Sequence, residues 1–201
     1  MSSIFLAVPT FENISPFTYK SIYDLDKGDN TVDFFFVTGY DCAKARNDIV
    51  DFALTSDKKY DYIFMVDSDI ILPKDALTTF LQVENFDVIL GAYPRKDQPS
   101  CSEIFRLTDY PDFPAKDRES MCNILNVRED RYEIKGGGFG CALMRTDIFE
   151  KLLYPWFKYQ VYPNHEIFSE DLYFCKKVRS AGFKILCDSR VVCKHIGKKV
   201  V

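Results

Sequence analysis

A chain of 201 residues with 47% hydrophobic content can bury one substantial core, and no stretch reaches the roughly 18 consecutive apolar residues of a membrane span. The formal charge of -4, with basic residues scattered along the chain, lacks the electrostatic footprint of a protein that binds a nucleic-acid polymer. Two histidines and seven cysteines that never form C-x-x-C give a Cys/His zinc site little material, so reduced thiols are expected and any metal should sit on carboxylates.

Residues 4–8 form an apolar run without a basic leader that stops at Pro9, so they read as a first strand and not a signal peptide. A soluble cytoplasmic protein is expected. Hydrophobic periodicity predicts a helix over 15–25, a strand over 32–37 and a helix over 41–55. A third strand follows over 60–66, Pro73 opens a helix at its first position, and 87–92 is a fourth strand. Short strand-to-helix connections imply parallel strands with right-handed crossovers. The rhythm lapses where four of the nine prolines fall within 94–116. Short β-like pieces at 122–127 and 132–134 then precede the glycine run Gly136-Gly137-Gly138-Phe139-Gly140. A helix over 146–153 follows, then one capped by Ser169 and ended by Gly182, then strands over 183–187 and 191–195. The expected fold is α/β: a mostly parallel central sheet with flanking helices and a smaller antiparallel portion in the second half.

The strand ending at Val66 runs directly into Asp67-Ser68-Asp69. In open α/β sheets ligands bind beyond the carboxyl ends of strands, and two carboxylates one residue apart can hold a hard divalent cation against a diphosphate. A turn cap ahead of Pro73 would use the same residues. Together with the Val8-Pro9-Thr10 strand end, this pattern resembles the D-x-D nucleotide-binding start of GT-A fold glycosyltransferases, and is particularly similar to a glycosyltransferase module encoded by large algal viruses. The resemblance extends through Ala45-Arg46-Asn47, the glycine run, Ser169-Glu170-Asp171 and Lys194-His195, nearly the whole chain. It implies one domain over 1–201, with donor binding in about 1–93 and acceptor binding in about 94–201. It also implies a Mn²⁺ or Mg²⁺ cofactor, a nucleotide-sugar donor (a UDP-sugar) and a glycan or glycoprotein acceptor.

Arg46 falls on the apolar face of its predicted helix and needs an anionic partner, either the nucleotide and Asp67/Asp69 region or an internal ion pair. Pro9, Thr10, Thr38 and Tyr40 close the first two strands and can line a base and ribose pocket, with Tyr40 as a stacking ring; ordinary turn residues look the same. The glycines match neither a P-loop nor G-x-G-x-x-G. They suit a hairpin turn or a close backbone approach to a ligand, and the resemblance sets Gly137 and Gly138 beside the donor sugar and acceptor.

Ser169-Glu170-Asp171 opens a helix, where acidic residues are common for structural reasons. The resemblance assigns Asp171 to the general base of an inverting enzyme, with Glu170 beside it, and helix-terminal amides should keep Asp171 ionised. His195 is either a hydrogen-bonded structural residue or, by resemblance, a ligand joining Asp67 and Asp69 on the metal; nitrogen ligation favours manganese. Two rivals remain. A nucleotidyltransferase would carry a basic glycine-rich loop after its first strand, where this chain has Pro9-Thr10-Phe11-Glu12, and a carbohydrate-binding module could keep the fold without turnover.

Overall fold

The computed structural model describes residues 1–38, 41–97, 99–106, 121–123, 130–163 and 167–197. Gly39, Tyr40, His165 and most of the expected 122–127 strand lie outside the described residues. The first strand, β1 (Ser3–Thr10), is followed by α1 (Pro16–Tyr23), β2 (Thr31–Thr38), α2 (Cys42–Thr55) and β3 (Tyr62–Val66). Next come β4 (Ile70–Ile71), α3 (Ala76–Leu81), β5 (Val88–Ala92), β6 (Cys101–Arg106), β7 (Met121–Asn123), β8 (Arg131–Gly137), β9 (Cys141–Arg145) and α4 (Ile148–Lys151). The chain closes with β10 (Gln160–Val161), β11 (Ile167–Phe168), α5 (Glu170–Ser180), β12 (Ile185–Val192) and β13 (Lys194–His195).

Among the described residues nine strands form one sheet in the order β2-β1-β3-β9-β5-β12-β8-β6-β7. The pairs β1/β2, β1/β3 and β5/β12 are parallel, whereas β9 runs antiparallel between β3 and β5. Beyond β12 the pairings turn antiparallel, which is the predicted smaller portion. Both faces are covered. Phe5, Ala7, Ile63 and Met65 face one core with residues of α2, α4 and α5, while Ile4, Leu6, Phe64 and Val66 face the other with residues of α1 and α3. Burial on both sides explains why β1, β3 and β5 read as unbroken apolar runs and not as alternating strands.

Local signals set the helix starts. Ser15 accepts from the Phe17 N–H at 3.2 Å and Asp41 from the Lys44 N–H at 3.0 Å, the side-chain capping expected of Ser and Asp. Gly182 takes φ +85° after α5, a conformation open to glycine.

Several expectations need correction. The helix expected to open at Pro73 starts at Ala76 instead, because Pro73 O accepts from the Ala76 N–H in a turn first. The helix expected over 146–153 is only α4. The break expected between strands at 183–187 and 191–195 is displaced: β12 runs on through a bulge between Asp188 and Val192, where Asp188 Oδ1 accepts from the Arg190 N–H at 3.1 Å, and Lys194–His195 form the separate strand β13, paired with β4. Gly136 and Gly137 belong to β8 and do not form a hairpin turn, since β8 and β9 pair with different neighbours.

Candidate functional site

The parallel strands β1, β3 and β5 all finish on one edge of the sheet, and the turns that follow them build the site. Asp67-Ser68-Asp69 leaves β3 as a tight turn in which Asp67 O accepts from the Ile70 N–H at 3.1 Å. Ser68 O accepts from the Ser15 N–H at 3.0 Å, tying the turn to the cap of α1. A cavity of about 490 Å³ opens above these strand ends, walled by Pro9, Thr10, Asp67, Ser68, Asp69 and Tyr159. Thr38 stands opposite Thr10 in the β1/β2 register but is exposed and is not part of this wall. A larger hollow of about 680 Å³ lies between α1 and β4. Its walls carry Lys20, Lys74 and Lys194, and its carboxylate, Asp24, is paired to Lys20, so its lining is mainly basic.

Arg46 unites both readings of its partner. It is 2% exposed; Nη2 donates to Asp67 Oδ1 at 2.9 Å and Nε to Glu170 Oε1 at 3.3 Å. One internal guanidinium therefore ties the D-x-D turn to the start of α5, over the Phe139 ring. Burial disfavours its charge, but Asp67, Glu170 and Asp171 outweigh that and hold Arg46 protonated. Asp67 is pushed up by burial, and the charges of Asp69 and Glu170 add to this against the pull of Arg46. Its Oδ1 is bonded to Arg46. Removing the cation leaves two carboxylates unpaired, so Arg46→Met should lose about 3 kcal/mol of stability and several degrees of Tm in thermal unfolding. A loss under about 0.5 kcal/mol, as for an ordinary surface substitution, would contradict this bracing role. Beside Arg46, Asn47 accepts from the Trp156 and Phe157 N–H groups and donates to Phe157 O. This clamps the segment that brings Tyr159 to the cavity.

Asp171 accepts from the Leu172 N–H at 2.7 Å and from the Ser169 hydroxyl. Burial, followed by the charge of Glu170, outweighs these bonds and pushes Asp171 up to about 6, above the usual carboxylate range but still below neutral pH. Glu170 is held by Arg46. Burial and Glu170 together push Tyr159 up, with the tyrosine hydroxyl bonded to that same carboxylate.

His195 Nδ1 lies 2.8 Å from Pro94 O, and its Nε2 faces Asp69 Oδ1 at 3.6 Å. A proton on Nδ1 donated to that carbonyl fixes the ring with Nε2 toward Asp69; burial disfavours the charged ring, but Asp69 and Pro94 outweigh it and raise the His195 pKa, so Nε2 would release a proton on taking a cation. Lys96 Nζ bonds Asp69 Oδ2. Burial works against ionisation of Asp69, but His195 and Lys96 outweigh it and lower its pKa. Among the described residues no group of three His, Cys, Asp or Glu side chains is gathered to hold a metal. Asp69 and His195 could hold a cation that takes its remaining oxygens from a phosphate-bearing ligand and water.

The glycine segment packs against its own chain. The Gly138 N–H donates to Glu103 O at 2.8 Å, and the Gly140 N–H to Tyr93 Oη at 3.2 Å. A Cβ on Gly137 would come 2.7 Å from Glu103 O, and one on Gly138 would come 2.1 Å from Tyr93 Oη. The close approach these glycines permit is thus to β6 and the Tyr93 ring. Gly138→Ala should cost about 1–3 kcal/mol of stability. In a Tyr93→Phe background the cost should fall by about 1 kcal/mol, because the clashing hydroxyl is gone; equal costs in both backgrounds would contradict this packing.

Tyr93, Lys96 and Tyr159 are site residues that the sequence reading missed. Tyr93 is buried, contacts the His195 ring edge-on at 5.3 Å, and feels the charges of Asp67 and Asp171. The signal was present: Tyr93 to Lys96 follow the end of a parallel strand, as Asp67 to Asp69 do.

No protein-family model matches the chain, and no curated protein matches it in sequence. Solved structures do match. A197 from STIV superposes with a TM-score of 0.67 at 17% identity, covering 98% of this chain and 86% of that one. GalNAc-T7 with UDP, GalNAc and Mn²⁺ gives 0.58 at 11% identity, covering 96% of this chain and 44% of that one. A mutant Drosophila β1,4-galactosyltransferase 7 with manganese, UDP-Gal and xylobiose gives 0.52 at 19% identity, covering 98% and 71%. The chain thus spans less than half the length of GalNAc-T7. These likenesses establish that the fold is the GT-A-like fold of glycosyltransferases. No helix among the described residues is long and apolar enough to cross a membrane.

Proposed function

We propose that this GT-A-like chain is one domain that works as a metal-dependent glycosyltransferase, taking a sugar from a UDP-sugar and passing it to a hydroxyl of a glycan. The observation that carries this reading is the imidazole of His195, fixed by Pro94 and turned toward Asp69 at the mouth of a strand-end cavity. Asp69 and His195 would hold Mn²⁺ or Mg²⁺, the mixed donors favouring Mn²⁺, and the metal would neutralise charge on the departing diphosphate. Two structural neighbours were crystallised with UDP or UDP-Gal and manganese, which supports the donor class.

Pro9, Thr10 and Ser68 would line the nucleotide, with Tyr159, 41% exposed at the rim, supplying the ring assigned from sequence to Tyr40. Arg46 keeps the D-x-D turn and the start of α5 in one rigid body. Asp171 would take the proton of the acceptor hydroxyl, giving single, inverting displacement. A nucleotidyltransferase is disfavoured because Phe11 to Ser15, after β1, brings no cation to the cavity.

The test is thermal unfolding with a UDP-sugar, in Mn²⁺ or in excess chelator. Diphosphate and the site carboxylates repel each other without a bridging cation. At about a hundredfold excess over Kd, binding adds roughly 2.7 kcal/mol, or some 5–10 °C for a chain of this size. The rise should occur with Mn²⁺ and vanish in chelator; equal stabilisation in both would overturn the reading.

A further inference from the structure

We propose that Lys96 is a resident counter-ion that withholds Asp69 from the metal until the nucleotide is present, so that metal and diphosphate load together. This rests on the metal reading of Asp69 and His195. Asp69 is approached from two sides: His195 Nε2 faces Oδ1 at 3.6 Å, while the Lys96 ammonium bonds Oδ2. The two groups differ in kind. An imidazole can share a cation with a carboxylate, whereas an ammonium has three donors and no acceptor and only competes with the cation.

The neighbouring cations are committed elsewhere. Arg95 is paired to Asp97 and Glu103, and Arg46 to Asp67 and Glu170. Lys96 pairs with Asp69, and its side chain is 48% exposed on a flexible stem. A dication shared by Asp69 Oδ1 and His195 would lie within a few ångströms of the ammonium on Oδ2, and the two positive charges would repel each other. If Mn²⁺ binds alone, Lys96 is expelled with no anion to receive it. With a nucleoside diphosphate present, the same short swing lets Lys96 trade a carboxylate for a phosphate oxygen. Each ligand should then raise the affinity of the other by the same factor.

Mn²⁺ affinity, read from the EPR signal of free Mn²⁺ with the full chain, tests this with and without UDP. Wild type should bind Mn²⁺ weakly alone and more tightly with UDP. Lys96→Met removes the competitor, so Mn²⁺ alone should bind about three- to tenfold more tightly. The enhancement given by UDP should shrink about tenfold, because the ammonium that received the diphosphate is also gone. Lys96→Arg keeps the charge and should keep the wild-type pattern. Lys59→Met, an exposed lysine elsewhere on the surface, should change neither constant. The proposal is overturned if Lys96→Met binds Mn²⁺ alone no more tightly than wild type, if the UDP enhancement is unchanged, or if Lys59→Met gives the same shift. If wild type binds Mn²⁺ neither with nor without UDP, the metal reading falls and this one with it. If wild type binds Mn²⁺ and Lys96→Met alters nothing, Lys96 alone loses its role.

Discussion

Asp69→Ala should abolish metal-dependent donor binding while leaving the fold intact. The backbone of Asp69 serves the fold: its carbonyl accepts from the Ile196 N–H at 2.8 Å, and alanine retains that bond. Its side chain is partly exposed between Lys96 and His195. Partly exposed ion pairs contribute about 1 kcal/mol or less, so the loss of stability should be small. Outer hydrogen-bond partners of metal ligands alone are worth about ten- to a hundredfold in affinity. Deleting a carboxylate ligand outright should therefore weaken Mn²⁺-dependent UDP-sugar binding by at least about a hundredfold, measured by calorimetry. A variant that unfolds as wild type does and still binds Mn²⁺ and donor normally would remove Asp69 from the site.

Asp171→Asn should keep donor affinity near wild type while transfer falls about a hundred- to ten-thousandfold, the usual cost of losing a general base. The amide still fits the start of α5 and can accept from the Leu172 N–H, but it cannot take a proton. The environment of Asp171 adds a pH signature. Burial and Glu170 push its carboxyl up to about 6, and a base works only when ionised. At saturating donor, metal and acceptor, kcat should therefore rise with pH through about 6, fall about tenfold per unit below it, and level off above. Saturation matters because protonation of His195 would impair metal binding and appear in KM. The Asp171→Asn variant should lack that acid limb. Transfer within a few-fold of wild type would leave Asp171 as a helix-start residue and turn attention to Glu170 or to a retaining mechanism.

The core of the fold was legible because burial on both faces leaves a simple trace. Residues 4–8, 62–66 and 88–92 are apolar runs of strand length bounded by turn residues, and all three are parallel strands. Sheet order was not legible. The central antiparallel strand β9 is only Cys141–Arg145, and four apolar residues between a glycine and an arginine are too few for periodicity to separate strand from loop. The glycines before it suggested a turn, whereas their small size is needed where β8 crosses Tyr93 and β6. The bulge in β12 is hidden for a related reason: Asp188-Ser189-Arg190 reads as a break, though β12 continues to Val192 before β13 begins at Lys194.

At the site, Asp67 and Asp69 were legible because carboxylates closing a buried strand are costly without a role. Arg46 was legible because a guanidinium on an apolar helix face needs an anion. Spacing alone does not tell Asp67 from Asp69; the fold adds that Arg46 bonds Asp67 while Lys96 and His195 approach Asp69. Tyr93 and Lys96 were hidden by the same limit. A Tyr-Pro-Arg-Lys stretch after a strand looks like a turn until His195, about a hundred residues later, closes over it. Tyr40, a stacking ring by sequence, lies outside the described residues; Tyr159, which spacing did not single out, stands at the cavity.

The most direct test is turnover itself. The full chain is incubated with a panel of UDP-sugars in Mn²⁺, with parallel samples in chelator and with Asp69→Ala, and released UDP is quantified together with the fate of the sugar by mass spectrometry. At least one UDP-sugar should release UDP in a Mn²⁺-dependent manner, by transfer to an added glycan or slowly to water, with the signal lost in chelator and in the Asp69→Ala variant. If no donor yields UDP, or if release is equal in chelator and in Asp69→Ala, the chain carries the GT-A-like fold without the chemistry assigned to it.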